Sequence, residues 1–208
     1  MPRPRQRSDD EILEVARHAL VEDPQASTVL IAERCGLSQA ALFKRFGSKS
    51  ALAIRALAPC GPPAWTQFVL EGPTSAPVDA QLVQIATEAS SFFRRVVPRM
   101  HALRAMGIDM KELFVQGQHP PPIAAFLAMR GWFTRAVQAG LIREADPAVL
   151  ATTFLGALQS DAFWRHLGGD AVDLPDLDEA ALANAVVAML FQGIQPAAPA
   201  AASEAEAS

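Results

Sequence analysis

Tyrosine is absent from this sequence, and cysteine occurs only at positions 35 and 60. Two cysteines without CxxC spacing or a nearby histidine pair make neither a disulfide framework nor a zinc site, and they fit a reducing, cytoplasmic compartment. The four histidines, at 18, 101, 119 and 166, are too scattered to suggest metal ligation. Long apolar runs are missing as well. The longest uncharged stretch, 180–203, has as its continuous apolar part only "AVVAMLF", far short of the ~20 residues that cross a bilayer. The first residues carry arginines but no apolar segment, so a secretory signal is not expected. None of GxSxG, HExxH, GxxxxGK[ST] or GxGxxG occurs, and no carboxylate pair falls in a cleft-forming loop. The expectation is a protein with no membrane partner, no cofactor and no catalytic activity.

What is present is helix. Half of the 208 residues are hydrophobic, enough for a substantial core, and no stretch alternates as strands do. Ser8–Glu11 forms a capping box, followed by Ile12, Ala16, Ala19 and Leu20 at helical spacing and closed by Asp23-Pro24. Ser27 or Thr28 caps a second helix that Gly36 ends. Ser38 caps a short third helix ending at Gly47, and Ser48 caps a fourth. Five prolines and two glycines then crowd residues 59–77, a connector in which Trp65, Phe68, Val69 and Leu70 still need a packing partner and suit a helical turn. Beyond it the pattern predicts long helices over about 78–97, 98–110, 122–139, 147–167 and 176–192, with prolines at their starts.

The charge is divided along the chain. Nine Lys or Arg face seven Asp or Glu up to Cys60, whereas nine face fifteen beyond it, within a net charge of -4. A mildly basic front on an acidic back suggests that a polyanion meets the front. The front also holds "IAERCGLSQAALFKRF", two short helices joined by a tight turn, which is helix-turn-helix geometry. Ala32 is small where the helices approach, and Leu37, Leu42 and Phe46 point inward. Gln39, Ala40, Ala41, Lys44 and Arg45 point outward, a mixture that suits a DNA major groove. The amide of Gln39 matches the donor and acceptor of adenine.

The run from Ile12 to Leu57, above all "IAERCGLS" and "LFKRFGSK", resembles the DNA-binding domain of the tetracycline-repressor (TetR) family. The resemblance implies that Thr28 contacts phosphate and that Ser38, Gln39, Ala40 and Ala41 form the base-reading end of the recognition helix. Lys44 and Lys49 match positions that grip the DNA backbone. Phe43 departs from the family, which usually places a tyrosine there and uses its hydroxyl on a phosphate; phenylalanine keeps only contact with sugar or a thymine methyl. Arg3, Arg5 and Arg7 suit either a minor-groove arm or a solubilising tail.

The expected fold is therefore all-α, with a helix-turn-helix DNA-binding domain (1–57), a connector (58–77), an antiparallel helical effector-binding and dimerisation domain (78–194) and a disordered tail (195–208). In the back half Phe92, Met100, His101, Arg104, Phe126, Met129, Trp132 and Phe133 form the candidate lining of an apolar or amphipathic effector pocket. The family pairs its last two long helices between subunits, which makes Phe154, Leu155, Leu158, Leu182, Val186, Met189 and Leu190 the candidate dimer interface. The function implied is a ligand-responsive transcriptional regulator, a repressor, binding double-stranded DNA as a homodimer and released by a small-molecule effector. The alternative is a helical small-molecule carrier without DNA binding, which would lack a steep salt dependence toward duplex DNA.

Overall fold

The computed structural model describes residues 7–59, 63–109, 113 and 121–192. Arg3, Arg5, Cys60, His119 and the tail at 195–208 lie outside the described residues. The fold is all-α, in the order α1 (Asp9–Glu22), α2 (Thr28–Arg34), α3 (Gln39–Phe46), α4 (Lys49–Leu57), α5 (Thr66–Glu71), α6 (Val78–Ala105), α7 (Pro121–Gln138), α8 (Pro147–Gly168) and α9 (Glu179–Gln192).

Serine side chains start the first four helices. Ser8 accepts from the Glu11 amide while Glu11 returns a bond to the Ser8 amide. Ser27, Ser38 and Ser48 accept from the amides of Leu30, Ala41 and Ala51 at 3.1, 3.2 and 3.0 Å. Each satisfies an N–H that the helix itself leaves without a partner. Ser27, rather than Thr28, is thus the cap of α2. Gly36 and Gly47 close the turns after α2 and α3 with φ of +66° and +79°, where a side chain would be strained.

Two apolar cores organise these helices. The front core joins Ile12, Ala16 and Leu20 of α1, Ile31 and Ala32 of α2, Leu42 and Phe46 of α3, and Leu52, Ala53 and Leu57 of α4. It is completed by Ala102 and Leu103, from the last turn of α6. The back core packs α6, α7, α8 and α9 around Phe93, Met129, Trp132, Phe133, Phe154 and Leu158. Trp65 and Val69, on or beside α5 in the proline-rich segment, belong to that back core. There Arg135 of α7 donates to the Val69 carbonyl at 2.8 Å.

Two expectations about the helices are overturned. Pro98 does not start a helix: α6 runs through it without a break for 28 residues, from Val78 to Ala105. Proline removes one intrahelical bond, but here both flanks are anchored, Phe93 and Val97 in the back core and Ala102 and Leu103 in the front one. Likewise Pro175 precedes α9 by several residues instead of opening it.

Charged side chains clasp the back bundle at the α6–α8–α9 junction. Asp161 of α8 receives Arg94 and Arg165, both at 2.9 Å, and Arg94 also reaches Glu179 at 3.5 Å. The two guanidinium groups donate in addition to the Leu177 carbonyl at 2.9 and 3.2 Å. This network fixes where the chain enters α9.

Candidate functional site

The outer end of α3 is built by what lies behind it. A helix of eight residues is marginal in isolation. Here Leu42 and Phe46 are buried, at about 1.5–3 kcal/mol each. The Arg55 guanidinium of α4 stands 4.8 Å above the Phe46 ring. Across α2, Cys35 and Ala32 are buried at the crossing with α3. Burial raises the Cys35 thiol pKa, with Arg7 opposing more weakly, which leaves a packed and unreactive thiol.

Ser38, Gln39, Ala40, Phe43 and Lys44 are exposed together on this end, and Ala41 is partly so. Gln39 is not free. Its Nε2 donates to the Thr28 hydroxyl at 2.8 Å, and Thr28, expected at a phosphate, is only 8% exposed. Lys49 opens α4 and its ammonium rests 3.5 Å from the Pro24 carbonyl, to which it donates. The structure does not gather Arg45 into the same surface. Its guanidinium turns back to α1, donating to the Arg7 carbonyl at 2.8 Å and pairing with Asp9 at 3.6 Å. Val29 and Leu30 of α2 are also exposed. Sequence reasoning passed over these two, because apolar residues in a short amphipathic helix read as core.

A second candidate site lies where the two cores meet. A cavity of about 470 Å³ is walled by Phe92, Phe93, Val96, Val97, Met100 and His101 of α6, by Pro122, Ala125 and Phe126 of α7, and by Thr152, Leu155, Gly156, Gln159 and Phe163 of α8. Pro59, just past α4, closes one side. Size and apolar walls with a few polar groups are those of a small-molecule site. His101 packs edge-on against Phe163 and against His166, whose ring is 4.8 Å away. Burial first, and His101 second, lower the His166 pKa, so its neutral form is favoured. Met100 touches both the cavity and the front core.

Of the residues expected to line a pocket, Phe92, Met100, His101 and Phe126 do so. Arg104 does not; it is exposed near the end of α6. Met129 and Trp132 are consumed by the back core, fully buried. Phe133 faces a different, smaller cavity of about 360 Å³ toward Leu141, Leu150 and Leu190. The helix over 147–167 was expected to border the effector, but none of its residues was named for the pocket: Leu155 was assigned to the dimer interface, and Thr152, Gly156 and Gln159 carry no apolar signal.

The expected interface residues divide in the same way. Phe154 and Leu158 are fully buried within the protomer's own core, so they have no surface to offer a partner; Leu155 faces the cavity. Leu182, Val186 and Leu190 are half-buried against the back core, and Met189 is exposed. The apolar groups that α8 and α9 expose are Val149, Phe163, Trp164, Leu167, Met189 and Phe191.

Comparison with known proteins accords with this architecture. Residues 12–56 match the profile of bacterial regulatory proteins of the tetR family, and residues 80–193 that of the C-terminal domain of AefR-like transcriptional repressors. No curated protein matches the chain. Among solved structures it is similar to the regulator PfmR from Thermus thermophilus, with 20% identity, TM-score 0.63, and coverage of 90% of this chain and 100% of that one. FadR from Bacillus subtilis, in complex with stearoyl-CoA, gives 16%, 0.60, 90% and 100%. AibR in complex with isovaleryl coenzyme A and operator DNA gives 20%, 0.55, 88% and 97%. At such identities the likeness is one of fold.

Proposed function

Since the chain belongs to the tetR family of bacterial regulatory proteins, we propose that it is a ligand-released repressor acting as a homodimer on a pseudo-palindromic operator. The observation that carries the reading is the exposed outer end of α3, with Ser38, Gln39, Ala40 and Lys44 at the surface while Leu42 and Phe46 hold it from behind. This end enters the major groove, and Lys44 and Lys49 take the flanking phosphates. One such module makes few contacts, so affinity comes from joining two. The exposed apolar groups of α8 and α9 supply the joint.

The effector is a small apolar or amphipathic molecule in the cavity between α6, α7 and α8. An effector releases DNA only if it binds the non-operator conformation better, by the coupling energy between the sites. Met100 and Pro59 give it a physical route, since one touches the front core and the other follows α4. That relatives of the same fold hold stearoyl-CoA or isovaleryl coenzyme A supports a ligand with an apolar part.

Selection from random duplexes tests the reading. The enriched sites should be two inverted half-sites about one helical turn, ~34–36 Å, apart. Affinity should fall steeply with salt, as counterion release requires. Enrichment of no duplex, together with small-molecule binding in the cavity, would favour the carrier instead.

A further inference from the structure

We propose that Thr28 is a positioning residue for base reading: its hydroxyl fixes the Gln39 carboxamide, so that one base pair in each half-site is read by the two residues jointly. This rests on the reading of α3 as the helix that enters the major groove. Gln39 is the first residue of α3 and is exposed. An unrestrained glutamine there would spread over many rotamers, and ordering it on DNA would cost affinity. Its Nε2 instead donates to Thr28 Oγ1 at 2.8 Å. Thr28 opens α2 and is 8% exposed, so the anchor is packed and cannot follow a wandering partner.

An amide nitrogen carries two hydrogens. Thr28 engages one; the other hydrogen and the carbonyl oxygen remain for a base edge. These are the donor and acceptor that adenine N7 and N6 require. The Ser38 hydroxyl caps α3 instead, accepting from the Ala41 amide. Accepting from Gln39 uses one lone pair of the Thr28 hydroxyl and leaves its proton to donate, so positioning Gln39 and holding a phosphate are distinct roles for the same side chain.

The two roles separate experimentally. A residue holding phosphate weakens all sequences alike, whereas one that positions Gln39 alters preference only where Gln39 reads. Selection profiles of the full-length chain should show Gln39→Ala relaxing one position per half-site by about tenfold. Thr28→Val, which keeps shape and removes the hydroxyl, should relax that same position, and Thr28→Ser should restore it. In the Gln39→Ala background Thr28→Val should add nothing at that position. Because Thr28 is packed, the wild-type chain supplies a second measurement that no folding defect confounds. NMR relaxation of the Gln39 side-chain amide in the free protein should show a restrained group. An intact profile with uniformly weaker binding in Thr28→Val, or a freely rotating Gln39 amide, overturns the proposal. Absence of any operator binding by the wild type overturns the functional reading as well, and is distinguishable by that sign.

Discussion

Asp161 is the residue whose loss should be felt most outside the two sites. Its carboxylate is 11% exposed and receives two guanidinium groups, from Arg94 and Arg165. Asp161→Ala takes the shared carboxylate from two mostly enclosed cations and leaves Arg94 only its longer pairing with Glu179. Removing one partner of a buried pair costs about 3–5 kcal/mol, and the partial exposure here puts the expected loss at the lower end, about 3 kcal/mol. The denaturant midpoint should fall with an unchanged slope. An unmoved midpoint would show that solvent replaces the carboxylate. The sequence displayed Asp161 only as a polar residue among apolar ones, because its partners lie 67 positions upstream and four downstream. The caps at Ser8, Ser38 and Ser48 were legible for the opposite reason, each bond spanning three residues, whereas for α2 the sequence left Ser27 and Thr28 as alternatives. Gln39 stood out by its type, but its tie to Thr28 depends on how α2 crosses α3, which no local pattern encodes.

At the scale of elements, α5 is the piece most sensitive to a single atom. Gly72 ends it at φ +91° and ψ 177°, a region that costs residues other than glycine about 1–3 kcal/mol. A Cβ at Gly72 would come within 2.7 Å of the Arg135 Nε, the side chain that holds the Val69 carbonyl. Gly72→Ala should therefore both strain the turn and loosen α5 from α7, lowering the thermal midpoint and exposing Trp65 to a fluorescence quencher. A midpoint and quenching equal to the wild type would mean that Arg135 swings aside at no cost. Element boundaries were readable where caps and glycines set them. They failed at Pro98, since a proline tolerated at a helix start and a proline carried inside a helix anchored at both ends look alike in sequence. Apolar periodicity also told that Phe154 and Leu158 are buried, but not by what. Their partners are α6 and α7 of the same chain, not a second subunit.

For the whole molecule the test of assembly moves accordingly. Charge at Leu158 would unfold the protomer. Charge at Met189 and Trp164, both exposed, meets solvent in a monomer and is enclosed without a partner in a dimer that uses this face. Met189→Glu with Trp164→Glu should give monomers by sedimentation that keep their helical circular dichroism. Operator affinity should drop at least ~100-fold through lost avidity. A double variant that stays dimeric moves the joint to another surface.

The continuity of α6 limits how this chain can be recombined. Its first two-thirds build the back core, yet Ala102 and Leu103 fill the front one, Gln25 donates to the Ala105 carbonyl at 3.5 Å, and Met106 and Ile108 pack beside them. A hybrid regulator spliced after Leu57 would pair one parent's DNA-reading helices with a foreign plug, shaped for a different front core. Interchangeable parts must instead be cut from two places at once: residues 7–57 travel together with 100–108, although some forty positions of the other parent lie between them.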